Sequence, residues 1–234
     1  TDDNWETGVT VTVAGVDDSI VQGVDGKTTS VTLTIATADP VYNALGNPSV
    51  NVNVSDNDVA GFTGIPGADE TVTATESGTD ATFTVGLNSQ PTEAVVLTVS
   101  STDETVATVS SNDEAAAIVS SELTLTFTDD NWETGVTVTV AGVDDRIVQG
   151  VDGRTTSVTL TIASEDPVYN ALGNPSVNVN VSDNDSPNIL ITQSGGSTVV
   201  AETGTETTDS FTVELTSQPT EAVVLTVSST DETV

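Results

Sequence analysis

VTVTVAGVDD, residues 136–145, alternates valine with threonine and then breaks into small and acidic residues. Period-two alternation is the mark of a strand with one buried face, because successive side chains point to opposite sides of the backbone. Valine on one face and threonine on the other are both β-branched and favour the pleated conformation. The GVDD that follows reads as the turn that ends the strand.

The same ten residues occur at 9–18, and the identity extends further. Residues 1–58 and 128–185 match except at Ser19/Arg146, Lys27/Arg154, Thr37/Ser164 and Ala38/Glu165. SQPTEAVVLTVSSTDETV occurs at 89–106 and again at 217–234. The two offsets, 127 and 128, define a repeat of ordinary domain size. VSDND closes at Asp58 and again at Asp185, and the residues after it differ, so the natural boundary lies there. This division gives a C-terminal half-repeat at 1–58, one whole repeat at 59–185 and the first part of another at 186–234. The counterpart of 107–127 is absent from both outer portions, and the expectation is a window onto a longer series of repeats.

Further strands are expected at TVTATES (71–77), ATFTVGL (81–87), AVVLTVS (94–100), ELTLTFT (122–128), SVTLTIA (157–163) and SVNVNVS (176–182). Gly, Pro, Asn and Asp clusters separate them. The fold class this predicts is all-β: tandem antiparallel Greek-key β-sandwiches with a light Val, Ile and Leu core. NDEAAAIVSSE (112–122) is the one helix-like patch and is expected in a loop or short turn. Trp132, Trp5 and Tyr169 are expected to anchor loops onto the sandwich. The sequons at Asn53 and Asn180 leave a glycan open.

Composition narrows the chemistry. There are 36 acidic and three basic residues, a formal charge of −33, and no Cys, His or Met. That inventory excludes structural zinc, thiol chemistry and a Ser-His-Asp triad. Such charge disfavours nucleic acid or an anionic membrane as partner. No apolar run approaches the ~20 residues of a spanning helix, so no membrane insertion is expected in this segment. The remaining ways to tolerate the acidity are high salt, or divalent cations held directly.

The acids sit at predicted strand ends: Glu76 at the end of the first strand, Asp144 and Asp145 after VTVTVAGV, Asp152 in the next loop, Asp183 and Asp185 at the close. Asp17, Asp18, Asp25, Asp56 and Asp58 repeat this pattern in the first copy, and Glu202 adds an acid in the third portion. Each aspartate alone reads as an ordinary solvated turn residue. Taken together, with almost no cation to neutralise them, they read as calcium ligands at one pole of the sandwich, where carboxylates and carbonyls supply six to eight oxygens. No EF-hand loop is present.

Glu76, the GVDD after a long strand, an acidic loop and the terminal VSDND together resemble a Calx-β domain, within the immunoglobulin-like repeats of giant bacterial surface proteins and adhesins. The resemblance covers nearly all of 70–185. It implies calcium held by Glu76, Asp144, Asp145 and Asp183 or Asp185. The acidic-loop ligand would be Asp152, where the family has Glu. The function expected is a non-enzymatic, extracellular or cell-surface stalk or fibre in a prokaryote, stiffened by calcium between neighbouring repeats. Identical chains in a fibre or sheath are further candidate partners. The alternative is an adhesion module that grips surface glycans or protein through loops and calcium. That reading calls for an aromatic cluster, and aromatics make up only 3% of the chain. A carboxylate-pair hydrolase would need a cleft-forming insertion, and none is evident.

Overall fold

The computed structural model describes residues 5–23, 25–119, 122–150, 152–205 and 208–230. Its strands are β1 (Lys27–Thr32), β2 (Ser49–Val54), β3 (Phe62–Thr63), β4 (Thr71–Thr75), β5 (Ala81–Leu87), β6 (Val95–Ser101), β7 (Ala107–Ser110), β8 (Ala116–Val119), β9 (Glu122–Phe127), β10 (Val136–Gly142), β11 (Arg154–Ile162), β12 (Ser176–Ser182), β13 (Ile189–Gln193) and β14 (Phe211–Leu215). Two single-turn helices, α1 (Pro40–Asn43) and α2 (Pro167–Asn170), join β1 to β2 and β11 to β12.

Ten strands build two facing sheets, ordered β3-β5-β10-β7 and β4-β12-β11-β6-β9-β8. All the pairings are antiparallel except β4 with β12, which run parallel from Thr71↔Asn178 to Thr75↔Ser182. The inward positions alternate as the valine pattern dictates. Val136, Val138 and Val140 of β10 face Val177, Val179 and Val181 of β12, Leu97 and Val99 of β6, and Leu125 and Phe127 of β9 within one core. Each such side chain contributes about 1.5–3 kcal/mol on burial. Trp132 packs against this core at the sheet edge, as expected of a clamp, whereas Trp5 is exposed.

NDEAAAIVSSE departs from expectation. Ala116–Val119 form β8, an edge strand paired with β9 from Ala116↔Leu125 to Val119↔Glu122. A run this short cannot repay helix nucleation, and the open edge of β9 offers hydrogen bonds to its backbone at once. β3 and β7 are short additional strands that show no alternation long enough to read.

Tyr169 is the largest fully buried side chain, at 1% exposure. Asp166 caps α2 by accepting the N–H groups of Val168 and Tyr169 at 2.9 and 3.0 Å, and Pro167 supplies the first-turn geometry. The other Asp166 oxygen accepts from Thr92 N–H at 2.7 Å and Thr92 Oγ1 at 2.9 Å, which ties the turn to the start of β6. The Tyr169 hydroxyl donates to the Ser89 carbonyl at 2.7 Å, accepts its N–H at 3.1 Å, and lies 2.9 Å from its Oγ. Its ring meets Phe62 with centroids 6.1 Å apart.

β1–β2 and β13–β14 form separate two-stranded sheets. β1 and β2 pair in the register of β11 and β12, with Lys27↔Val54 matching Arg154↔Val181. α1 repeats α2 and its aspartate cap, yet its Tyr42 is 61% exposed. Tyr169→Phe should therefore cost about 1–3 kcal/mol in urea unfolding, because buried Ser89 loses its partner. Tyr42→Phe should leave the midpoint unchanged. Equal effects from the two substitutions would contradict this placement.

Candidate metal centre

The parallel pairing of β4 with β12 brings the acids together. Parallel neighbours end side by side, so Glu76 follows Thr75 where Asp183 follows Ser182, and the Glu76 N–H donates to the Ser182 carbonyl at 3.1 Å. β10 ends at the same pole. Gly142 lies so close to β4 that a Cβ there would sit 2.8 Å from the Thr75 carbonyl oxygen, so glycine alone lets Asp144 and Asp145 emerge at this point. β11 starts there, being antiparallel to β12, and delivers Arg154.

Glu76, Asp183 and Asp185 each present a carboxylate oxygen within 4.8 Å of the others. Glu76 is only 6% exposed. Asp145 joins through Arg154, whose guanidinium lies 3.0 Å from Glu76 Oε1 and 3.2 Å from Asp145 Oδ2. Arg154 also donates to the carbonyls of Val143 and Thr105 at 2.7 and 2.9 Å. The chain thus supplies one cation of its own to the cluster, which residue counting had discounted. Asp144 stands at the rim, exposed, and accepts from the Asn184 amide at 3.0 Å.

Asp152 does not join the group. It belongs to the turn that Gly153 closes onto the Gly150 carbonyl at 3.2 Å, with Gly153 at φ 62°. Its backbone carbonyl lies 2.8 Å from the Asn180 amide when that amide is oriented to donate. The VDG acid is a turn residue, and the same holds for Asp25 in the first copy, which is exposed. Glu202 is exposed as well.

Gln149 was not anticipated. Its N–H donates to Asp183 Oδ2 at 2.7 Å, and its side-chain amide donates to both Asp145 oxygens at 2.9 Å. This leaves the Gln149 amide oxygen without a donor. Among the described residues, the buried side-chain polar atoms lacking a partner are Glu76 Oε2, Gln149 Oε1, Arg154 Nε and Asp185 Oδ2. All four belong to this one cluster, and three are oxygens.

The electrostatics divide the acids. Burial holds the Glu76 carboxyl above its ordinary range, against the pull of Arg154. Asp185 is raised by desolvation and then by Asp183, Asp144 and Asp145. Asp183 is lowered, first by the Asp185 N–H that donates to it at 2.9 Å and further by Gln149 and Gly150. The first copy repeats the division: Asp56 is lowered by the Asp58 N–H, and Asp58 is raised by desolvation and by Asp56, Asp17 and Asp18. There Lys27 pairs with Asp18 at 2.6 Å and holds its carboxyl at about 2.

No family model matches this chain, and no curated protein matches it. Solved structures do, distantly. Domains 4 and 5 of the S-layer protein SbsC are 22% identical, with a TM-score of 0.33 over 58% of this chain and 59% of that one. The Enterococcus faecalis MSCRAMM ACE, which binds its ligands by the collagen hug model, is 10% identical, with a TM-score of 0.29 over 68% of this chain and 61% of that one. A cohesin–dockerin complex from Clostridium thermocellum gives 17% identity and a TM-score of 0.33 over 47% of this chain and 92% of that one. The chain spans less than two thirds of the length of the first two. Likenesses this distant assign no family, ligand or partner here. No helix among the described residues is long and apolar enough to cross a membrane.

Arg154→Met should leave Glu76 buried beside Asp145 with no counter-charge, destabilising by roughly 3 kcal/mol at neutral pH. A carboxyl whose folded pKa is raised above its unfolded value destabilises when ionised, and that penalty disappears as pH falls through the folded value. The gap between variant and parent should therefore shrink between about pH 7 and about pH 4.5 in denaturant titrations. A gap that stays constant would remove charge as its cause.

Proposed function

We propose that this chain is part of an extracellular, Calx-β-like stalk on a prokaryotic surface, built of tandem sandwiches divided at 58/59 and 185/186 and stiffened by calcium at each joint. The observation that carries the reading is the set of unpartnered buried oxygens, Glu76 Oε2, Asp185 Oδ2 and Gln149 Oε1, in a cluster whose carboxylates outnumber its one cation. Hard oxygen donors of this kind, carboxylates with a neutral amide carbonyl, suit calcium better than magnesium, which prefers to keep its waters. Glu76, Asp183, Asp185 and Asp145 would hold the ion, with Gln149 as neutral donor and Asp144 at the rim. Calcium would supply charge neutralisation and no reaction.

Support for a role at the joint comes from the loop after β10. Asp145 and Gln149 face the cluster, while the carbonyl of Arg146 between them accepts the Gln218 N–H at 2.6 Å. The corresponding contact recurs at the other joint, where Ser19 carbonyl accepts Gln90 N–H at 2.7 Å. An ion that orders this loop would stiffen the contact with the next sandwich. Near-identical copies suit a rod, which needs length more than distinct sites.

Millimolar calcium should raise the unfolding midpoint by several degrees, equivalent to about 2 kcal/mol at a dissociation constant of tens of micromolar. Glu76→Gln and Asp185→Asn should each weaken calorimetric calcium binding about tenfold or more. In chelator, stability should rise as pH falls from about 7 toward about 5, because Glu76 and Asp185 take up protons more readily folded than unfolded. Calcium should flatten or reverse that slope, since protons then compete with the ion. Absence of calorimetric binding at millimolar calcium would overturn the metal reading.

A further inference from the structure

Arg154 sits inside the metal cluster rather than beside it. Its side chain is 20% exposed, and the Glu76 side chain it meets is 0% exposed. The guanidinium lies 3.0 Å from Glu76 Oε1 and 3.2 Å from Asp145 Oδ2, and it donates to the Val143 and Thr105 carbonyls. One side chain thus fastens the end of β4 to the loop after β10 and to the turn before β7. A rigid fork of N–H groups can meet four acceptors in this way.

The remaining oxygens define what an incoming ion finds. Glu76 Oε2 is fully buried and has no partner, and Asp185 Oδ2 and Gln149 Oε1 are likewise without one. Three oxygens fall short of the six to eight that calcium takes. Two further carboxylate oxygens of the cluster, Glu76 Oε1 and Asp145 Oδ2, are held by Arg154, the second shared with the Gln149 amide. A divalent ion that draws on them must take them from the guanidinium, and it meets a positive charge at close range. The sequence varies at this same position. Residues 1–58 and 128–185 differ at four positions, and one of them exchanges Arg154 for Lys27. The exchange is one of residue type, whatever surrounds Lys27. Lysine keeps the charge as a compact ammonium without the fork, so it cannot hold the same four acceptors.

Resting on the calcium reading of this cluster, we propose that residue 154 sets its affinity: Arg154 is a resident counter-ion that calcium must displace from Glu76 and Asp145. Without calcium, the guanidinium neutralises the buried carboxylate and holds three segments at the pole. With calcium, the same ligands exchange one cation for another, and the gain from the ion is reduced by the contacts given up. Arginine therefore makes the pole self-supporting and its calcium binding weak. Lysine at this position gives a looser pole that takes the ion more tightly. Exchange between arginine and lysine here is thus a way for near-identical repeats to differ in their response to calcium.

The test follows calcium titration of the full chain through the Gln149 side-chain amide resonance, which reports this cluster. Arg154→Met should raise the affinity at least about tenfold over the parent, and Arg154→Lys should fall between the two. The direction is decisive, because removing a residue that merely supported the ligands would weaken binding. Arg146→Ser is the control. It removes a positive charge from the same loop, but Arg146 is exposed, and the affinity should change less than about threefold. The chain has two arginines, so the signal of the buried Arg154 Nε–H is readable by itself. Its exchange with water should rise toward that of Arg146 as calcium is added. In chelator, unfolding should rank the parent above Arg154→Lys and Arg154→Lys above Arg154→Met. If the methionine variant does not fold there, the lysine variant carries the comparison. Equal or weaker binding by the Arg154 variants overturns the displacement, as does a gain in Arg146→Ser as large as in Arg154→Met. An Arg154 signal that bound calcium leaves unmoved overturns it too. A Gln149 resonance that millimolar calcium shifts in neither parent nor variants overturns instead the metal reading, and this inference with it.

Discussion

Both sheets of the sandwich must be present before either is stable, because the inner strands take hydrogen bonds from two neighbours and bury their valines against the opposite sheet. β10 lies between β5 and β7, and β6 between β11 and β9. An isolated ribbon offers one neighbour and no opposing layer, which leaves it marginal in water. Residues 9–15 and 223–228 repeat the sequences of β10 and β6 but lack those neighbours, and neither forms a strand. The strand-forming pattern is thus not sufficient by itself. The pairing partner supplies the rest.

The single parallel pair does for the site what the antiparallel pairs cannot. Antiparallel neighbours set the end of one strand beside the start of the next, which places Arg154 near Val181. Only parallel neighbours set two ends together, and β4 beside β12 sets Glu76 next to the Asp183–Asp185 turn. The buried carboxylate is therefore a consequence of topology. It needs a counter-charge, and Arg154 stands one strand away to provide it.

Much of this was legible in the residues. Period-two runs located seven strands of the whole repeat, and the placement of acids after strands anticipated Glu76, Asp145, Asp183 and Asp185 at one pole. The misses share a cause. β8 was hidden because alanine carries no alternation and its strand form depends on the open edge of β9. Asp152 lies in the turn that Gly153 closes and is not among the acids whose oxygens converge, because aspartate serves turns and ligands alike and spacing alone does not separate the two. Gln149 and Arg154 were missed because neither stands out chemically in a search for acids. Their importance comes from where β11 begins and how the loop after β10 folds back.

Arg154 and Lys27 differ in what they leave unneutralised. The Arg154 fork reaches Glu76, Asp145 and two carbonyls at once, a geometry that a planar guanidinium meets and a compact ammonium does not. Lys27 pairs with Asp18 alone, on the surface, where such a pair contributes little. Even with Arg154 in place, Asp185 stays raised, first by desolvation and then by Asp183, Asp144 and Asp145, so one fixed cation does not offset the neighbouring carboxylates. In the copy with lysine, Asp58 is likewise raised, first by desolvation and then by Asp56, Asp17 and Asp18. The deficit is thus a property of the repeat and not of one substitution. The same excess of carboxylates over fixed cations therefore stands in both copies, whichever basic residue the repeat carries.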